Sequence, residues 1–488
     1  MTGNLIVWIQ IAYLIIIIAV CLKIIWDTDN ATKSLGYLTV AICIPVLGVL
    51  FYFIFGNNYR KNKMYSKKLI ENNELAKRLQ REIYTYTKKI YDTIDGNIAD
   101  KKSLIKLIYT DIESPVYNNN KVDLLRNGEE KFRALLEDME AAQHHIHIEY
   151  YIYENDEIGN QLCDLLIKKV KEGVDIRFIY DDFGSRSIRN TLARKMRENG
   201  IDAHAFLKIT FIPFSNRLNY RNHRKIVIID GQVGYIGGIN VSDKYINKED
   251  SKNTYWRDTH LRIEGPGVHY LQYIFIGDWN FCSEEKLSLN FSYFPKPDSL
   301  KIHDDSNKLI QIAASGPDSD TPTVMYSLIR AIQIAKKEVL ITTPYFIPGE
   351  TVLNTIIIAA LSGIQIKLIV PKNSDSRFVN AAAFSYLGDL LKAGVKVYLY
   401  DKGFIHAKTM VIDSSLSIIG TANMDTRSFD LNFEVNAVVY DEAFSVELKK
   451  DFEQDLKHCQ ELTMLQWDSR SNLQYLGDKT ARLLSPLL

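Results

Sequence analysis

One pattern, present twice, constrains this chain more than any other feature. His223-Arg-Lys225 is followed by four apolar residues and Asp230, and His406-Ala-Lys408 by four residues and Asp413. After each Asp a glycine stands seven positions on (Gly237, Gly420) and an asparagine ten positions on (Asn240, Asn423). A lone His-x-Lys carries little information. Two copies that keep their spacing out to Asn, each set in a matching stretch of about 150 residues, mark an internal duplication.

The hydrophobic periodicity around both copies is the same. In the first stretch (residues 114–290) helices are expected at 129–143, 160–172 and 189–199, and strands at 146–153, 174–180 and 203–207. In the second (320–488) the helices are 323–337, 351–361 and 379–393, and the strands 339–346, 364–370 and 395–400. Ile-His-Ile-Glu-Tyr-Tyr-Ile (146–152) resembles Ile-Thr-Thr-Pro-Tyr-Phe-Ile (341–347). The expected fold class is α/β, with two tandem domains of mixed sheet flanked by helices and related by a pseudo-two-fold axis. A Ser-, Asn-, Asp- and Pro-containing linker, 286–320, separates them. Before its motif the first half carries about eleven extra residues within 208–222, an insertion placed to wall or lid a site.

Read as a strand, each motif puts its His and Lys on one face, because side chains alternate. The turns after Asp230 and Asp413 read as two-residue hairpins. That register sets Lys225 opposite Gly238 and His223 opposite Asn240, and in the second copy Lys408 opposite Thr421 and His406 opposite Asn423. His, Lys and Asn then converge on one patch, with Gly238 or Thr421 admitting a ligand closely. Asp230 and Asp413 fall at the far ends of their strands and read chiefly as anchors of the turn or between the halves.

Two His, two Lys and two Asn facing one another suit phosphoryl chemistry. Lysines stabilise phosphate oxygens as charge develops. A neutral imidazole can attack phosphorus, and a partner imidazolium can protonate the leaving alkoxide. Two imidazoles in one site repel each other's protons, so one neutral and one charged is the natural state. Lysine is a poor metal ligand and no His/Asp/Glu cluster has metal spacing, so neither a metal nor a cofactor is expected. His144, His145 and His147, at a helix-to-strand junction, read as packing and surface histidines. Tyr150, Tyr151 and Tyr345 suit a channel lining or the core equally.

Two long apolar stretches precede the duplication. Residues 5–25 are apolar except for Gln10 and Lys23, and 35–55 carry no charge. Each meets the roughly 20-residue length of a membrane-crossing helix. The first lacks the basic start and small-residue cleavage site of a signal peptide. Arg60, Lys61, Lys63, Lys67 and Lys68 follow the second. The positive-inside rule places that flank, and the body after it, in the cytoplasm. Residues 1–58 are thus expected as a two-helix transmembrane hairpin and 59–113 as a basic, helical linker. The 59 basic and 59 acidic residues balance, so no global field draws in nucleic acid, and any anion site must be local. The five cysteines are scattered and unpaired in spacing, as in a reducing compartment.

The two His-x-Lys-x4-Asp motifs, each followed by Gly-x2-Asn, resemble the phospholipase D superfamily, and with the amino-terminal spans the chain looks like a bacterial cardiolipin synthase. The strings Ile-Glu-Tyr-Tyr-Ile (148–152), Asn-His-Arg-Lys-Ile (222–226), Tyr-Trp-Arg-Asp-Thr (255–259) and Thr-Ala-Asn-Met-Asp-Thr-Arg-Ser-Phe (421–429) carry the match. The resemblance implies a membrane enzyme of the bacterial cell that joins two phosphatidylglycerols into cardiolipin and glycerol through a phosphatidyl-histidine, without metal. By position it implies His223 as nucleophile and His406 as general acid/base, with the near-symmetry leaving the reverse open. It also implies Glu434, and Asp258 in the first half, as histidine partners. Gly238 stands where the family often has Ser, so a hydroxyl donor to phosphate is missing there, whereas Thr421 keeps one. Rival readings are a phospholipase D-type hydrolase and a non-catalytic lipid-binding scaffold.

Overall fold

The structure, a computed structural model, describes residues 2–27, 31–53, 87–88, 91–92, 96–208, 220–248, 254–295 and 307–484. The insertion expected to lid the site falls largely at 209–219, outside the described residues, as does most of the basic linker.

The first half contributes strands β1 (Val116–Arg126), β2 (His145–Tyr150), β3 (Asp175–Asp181), β4 (Asp202–Phe206), β5 (Lys225–Ile229), β6 (Val233–Gly237) and β7 (Thr259–Glu264). The second contributes β8 (Lys308–Ser315), β9 (Glu338–Thr342), β10 (Gln365–Pro371), β11 (Lys396–Tyr400), β12 (Thr409–Ile412), β13 (Leu416–Gly420) and β14 (Asn432–Tyr440). All join one sixteen-stranded sheet, together with Cys459–Leu462 at the outer edge of β11 and Arg221–Asn222 beside β14, and the fourteen run in the order β11-β10-β9-β12-β13-β14-β8-β1-β7-β6-β5-β2-β3-β4. The order reads the same from either end, so the duplication is a pseudo-two-fold about the antiparallel β1–β8 seam. The two expected domains therefore share a sheet. They also share a core, in which Leu124, Ile236 and Phe275 of one half pack with Ile312, Phe433 and Val439 of the other. Burying each such side chain contributes roughly 1.5–3 kcal/mol.

β5 (Lys-Ile-Val-Ile-Ile) is buried along its whole length, as a β-branched run between helix layers should be. Its turn differs from the two-residue expectation. Ile229 pairs with Val233 and Ile412 with Leu416, so each loop holds three residues. The loops open on left-handed residues, Asp230 (φ 53°) and Gly231 (φ 65°) in one, Asp413 (φ 51°) and Ser414 (φ 50°) in the other. Aspartate tolerates that backbone better than most residues. The extra residue shifts the register by one, so Lys408 lies against Gly420, whose N–H donates to its carbonyl (3.3 Å), and not against Thr421. The halves also superpose with a shift from the expected string match. Ile146 opposes Ile229 as Val339 opposes Ile412, so Ile146 corresponds to Val339 and not to Ile341.

The motif aspartates lie at the ends of these strands remote from the lysines, about 16 Å along an extended chain. Asp230 accepts the backbone N–H groups of Gln143, His144 and His145 (2.8–2.9 Å). Asp413 does the same for Lys336, Lys337 and Glu338 (2.8–2.9 Å). Each ties its turn to the neighbouring strand of its own half.

Two expectations before the body change. Helix Lys102–Ile112, at the end of the expected linker, buries Leu104, Ile105 and Ile108 in the second half's core. Its Ile105 carbonyl accepts the Gln311 amide (3.2 Å). Within helix Thr2–Asp27, the window Gln10–Asp27 is long and apolar enough to cross a membrane. The second apolar stretch is divided into Ala31–Cys43 and Pro45–Phe51, with Ile44 outside helical geometry. Proline has no N–H to continue a helix through it, so the helix is interrupted before Pro45.

Asp230→Ala and Asp413→Ala each orphan three backbone donors. Each is expected to lower unfolding stability by about 2–4 kcal/mol, read as a lowered Tm of the full chain in detergent.

Candidate active site

Two short parallel strand pairs off the main run of the sheet cross between the halves. Arg221–Asn222 runs beside the start of β14, with Asn222 opposite Phe433. Gly403–Ile405 runs beside Tyr255–Arg257, with Ile405 opposite Arg257. The pairing continues one step onto each motif. The His223 N–H donates to the Phe433 carbonyl (3.0 Å) and the His406 N–H to the Arg257 carbonyl (2.7 Å). The next residue on each partner strand is an acid. Glu434 Oε1 thereby lies 2.9 Å from His223 Nδ1, and Asp258 Oδ2 lies 2.7 Å from His406 Nδ1. Each imidazole is held by a carboxylate from the opposite half, which assigns the Nδ1 proton to the acid and leaves Nε2 for chemistry.

The rest of each motif supports this pair. Lys225 donates to the His223 carbonyl (2.6 Å) and Lys408 to the His406 carbonyl. Glu434 also accepts from the Thr421 hydroxyl and the Asn432 amide (3.1 Å). Asp258 accepts the Thr259 N–H (2.7 Å). A Cβ on Gly238 would stand 2.1 Å from Asp258 Oδ1, so the glycine makes room for the carboxylate. Thr421 and Gly238 thus serve the two acids, where the sequence suggested a close approach of ligand. The expected opposition of His223 and Asn240 is not made, because β5 and β6 stop at Lys225 and Gly237. Asn240 instead accepts the Ile152 N–H (3.1 Å) and donates to the Tyr245 hydroxyl (2.8 Å). The Asn423 N–H donates to the Ser428 hydroxyl (3.2 Å), and its side-chain oxygen is buried without a partner among the described residues.

Burial dominates the electrostatics. It lowers His223 to about 4 against the pull of Glu434, and lowers His406 further below the usual imidazole range with Lys408 and Lys225 adding to it. Burial therefore favours the neutral form of both imidazoles. Burial also lowers Lys225 to about 7 and Lys408 to about 8, opposed by Glu434 and Asp258. Asp258 is pushed up to about 6 by burial, against Lys408. Burial likewise raises Glu434, but His223, Lys225 and the Thr421 hydroxyl outweigh it and hold the carboxyl below its ordinary value. Two amines and two carboxylates balance, which is how four charges persist in so dry a place.

Aromatic rings wall the pair. Tyr151 stands edge-on to His223 (4.9 Å), while Trp256 and Phe404 lie 5.5 and 5.9 Å from His406. Tyr150 belongs to the core, and the Tyr345 hydroxyl donates to Asp375 (2.7 Å). Tyr245, 3.5 Å from His406 Nδ1 through its hydroxyl, carries no sequence signal. Trp256 and Asn432 do, since each stands two residues before a histidine's acid. His145 and His147 are buried on Gln272, and among the described residues no group of three or more His, Cys, Asp or Glu is gathered as metal ligands are.

Gly238→Ser is expected to displace Asp258 from His406. In the full chain with ¹⁵N-labelled histidine, the His406 Nδ1 proton resonance should move while that of His223 stays.

A family model described as cardiolipin synthase, phospholipase D-like domain, matches residues 135–276 and 328–456. The chain is 40% identical over 478 residues to the major cardiolipin synthase of Bacillus subtilis (strain 168), covering 98% of each. It is 38% identical over 487 residues to a cardiolipin synthase of Listeria innocua, covering 98% of this chain and 99% of that one. Among solved structures, the phosphatidylserine synthase of Haemophilus influenzae Rd KW20 shares the fold, with a TM-score of 0.56 at 15% identity over 75% of this chain and 95% of that one. The chain belongs to the cardiolipin synthase family of phospholipase D-like proteins.

Proposed function

We propose that this protein is a phosphatidyltransferase that joins two phosphatidylglycerols into cardiolipin and glycerol through a covalent phosphatidyl-histidine. The observation that carries the reading is the pair of buried imidazoles, each held at Nδ1 by an acid of the opposite half, beside two buried amines.

The chemistry follows from those atoms. A bound phosphodiester anion favours the protonated form of one imidazole, against the burial that otherwise keeps it neutral. The other, still neutral, attacks phosphorus through Nε2, forming a P–N bond as the P–O bond to glycerol breaks. The departing alkoxide takes the proton of the imidazolium. Glycerol leaves, and the now-neutral imidazole removes a proton from a hydroxyl of the second phosphatidylglycerol. That oxygen bonds to phosphorus, the P–N bond breaks, and the electron pair returns to the nucleophilic ring. Lys225 and Lys408 stabilise the phosphate oxygens in both steps. Glu434 and Asp258 stabilise whichever ring carries positive charge. The resemblance favours His223 as the nucleophile.

The protein acts at a bilayer in this reading. The apolar stretches 5–25 and 35–55 cross as a hairpin, the second bent at Pro45, and the basic residues after it keep the catalytic body in the cytoplasm. Helix Thr2–Asp27 and the apolar composition of both stretches support this.

With phosphatidylglycerol in mixed micelles, the purified chain is expected to yield cardiolipin and glycerol in equal amounts. His223→Ala and His406→Ala should each reduce turnover at least about 10⁴-fold. Phosphatidic acid as the main product would make the enzyme a hydrolase, and full activity in either variant would remove the two-histidine mechanism.

The lysines set the alkaline limb of the pH profile. Their charged forms exist below about 7 for Lys225 and about 8 for Lys408, so kcat/KM should fall as pH rises through that window. Bound phosphodiester stabilises the charge, so the limb of kcat alone should lie at higher pH. A kcat/KM still rising beyond the Lys408 value would exclude the lysines from phosphate stabilisation.

A further inference from the structure

A group of large apolar side chains left in water is a surface that calls for an apolar neighbour. Among the described residues of the two halves such side chains are unevenly spread. In the first half Phe183 alone stands exposed, and all the others lie on helices of the second half. The pseudo-two-fold of the sheet is therefore not carried through to the outer surface.

The densest group is on the last helix, Asn472–Leu484. Leu473 (79% exposed), Leu476 (62%) and Leu483 (78%) fall on one side of it, since residues three and seven apart share a helix face. Packing turns that side outward. On the other side Ala481 is buried in the second half's core, and the Arg482 guanidinium donates to Asp389 (2.7 Å) and lies over the Tyr386 ring (4.3 Å). Both partners belong to helix Arg377–Lys392. The short helix before it, Met464–Asp468, is seated on the same support, with Trp467 so close to Gly388 that a Cβ there would stand 2.6 Å from the indole Nε1. Its Leu465 is 84% exposed.

The flank of the stripe is aromatic and basic, for the Lys479 amine lies over the exposed Tyr475 ring (5.4 Å). Leucines on one side, bordered by a ring and a cation, are the make-up of a helix that lies in the interface of an anionic bilayer. A further exposed pair, Ile358 and Leu361, closes the apolar helix Gly349–Leu361, which also packs on Arg377–Lys392.

The route of the chain points to the same occupant. Helix Lys102–Ile112 follows the apolar stretches and enters the body on this layer, where Leu104, Ile105 and Ile108 share a core with Leu353, Leu387 and Ala481. Ser103 accepts from Arg330 (2.8 Å), and Asp100 pairs with Lys336 (2.8 Å). The half that carries the exposed leucines is thus the half to which the segment coming from the apolar stretches is tied.

We propose that the outer face of helix Asn472–Leu484 rests in the headgroup–acyl boundary of the bilayer and docks the second half on the membrane. This rests on the bilayer reading above, and it holds whether the phosphatidyl acceptor is a lipid or water. A membrane-crossing anchor by itself tethers the body and leaves it free to turn. A second contact, on the body, fixes how the site faces the lipid surface.

Photo-crosslinking of the full-length chain, reconstituted in vesicles of phosphatidylglycerol and phosphatidylethanolamine, tests the contact. p-Benzoylphenylalanine in place of Leu476 is expected to give phospholipid adducts by mass spectrometry, as it should in place of Ile16 in helix Thr2–Asp27, and in place of the exposed Gln161 of the first half it should give none. Adducts at position 16 without adducts at 476 would leave the face in water and overturn the docking alone. Adducts joining two chains at 476 would make the face a contact between copies, and equal lipid adducts at 161 would make the labelling unspecific; either overturns the docking. No adduct at position 16 would sink the bilayer reading, and the proposal with it. The double variant Leu473→Glu, Leu476→Glu should lower turnover in vesicles about three- to tenfold and leave it unchanged in mixed micelles, where detergent delivers the lipid. Unchanged turnover in vesicles would remove the docking role, and an equal loss in micelles would make the leucines part of the fold.

Discussion

The site depends on two backbone hydrogen bonds that cross between the halves, from the His223 N–H to the Phe433 carbonyl and from the His406 N–H to the Arg257 carbonyl. Each fixes a histidine one residue away from an acid on the facing strand. The side-chain bonds from His223 to Glu434 and from His406 to Asp258 then follow from register. A half alone would own a histidine and an acid that cannot reach each other. That is the physical reason the duplication is kept in one sheet, sealed at the β1–β8 seam and by a core drawn from both halves.

The same arrangement solves an electrostatic problem. Four ionisable motif side chains and two acids lie almost wholly out of water. An unpaired charge there would be far too costly, and removing one partner of a buried pair typically costs about 3–5 kcal/mol. Two amines against two carboxylates hold the balance, and burial keeps the imidazoles neutral. In the proposed mechanism the centre accepts one anion, which shifts a proton onto a histidine.

Symmetry and its breaking sit on different residues. The motif His, Lys and Asp repeat in position and in contact, down to the three backbone donors held by Asp230 and by Asp413. The residues beside them do not repeat. Thr421 gives Glu434 a hydroxyl where Gly238 gives Asp258 only space. Tyr151 lies against His223 at one end, and Phe404 and Trp256 against His406 at the other.

The sequence by itself determined the duplication, the α/β class, the strand character of both motifs and which histidines and lysines the fold gathers. Those are local or repeated patterns, and spacing records them. It also pointed to Glu434 and Asp258, through the family resemblance and not through periodicity. Tertiary structure decided the rest. A three-residue turn opening on a left-handed aspartate moved the register by one, since hairpin loop length depends on what the turn is tied to and not only on its residues. Pro45 divided the second apolar stretch, and packing drew 102–112 out of the linker into the core. Asn240 turned to Ile152 and Tyr245, and Tyr245 came to His406, because contacts across the fold leave no trace in sequence spacing. Which acid meets which histidine is the clearest case, since it is set by strands that pair only after the halves have closed on each other.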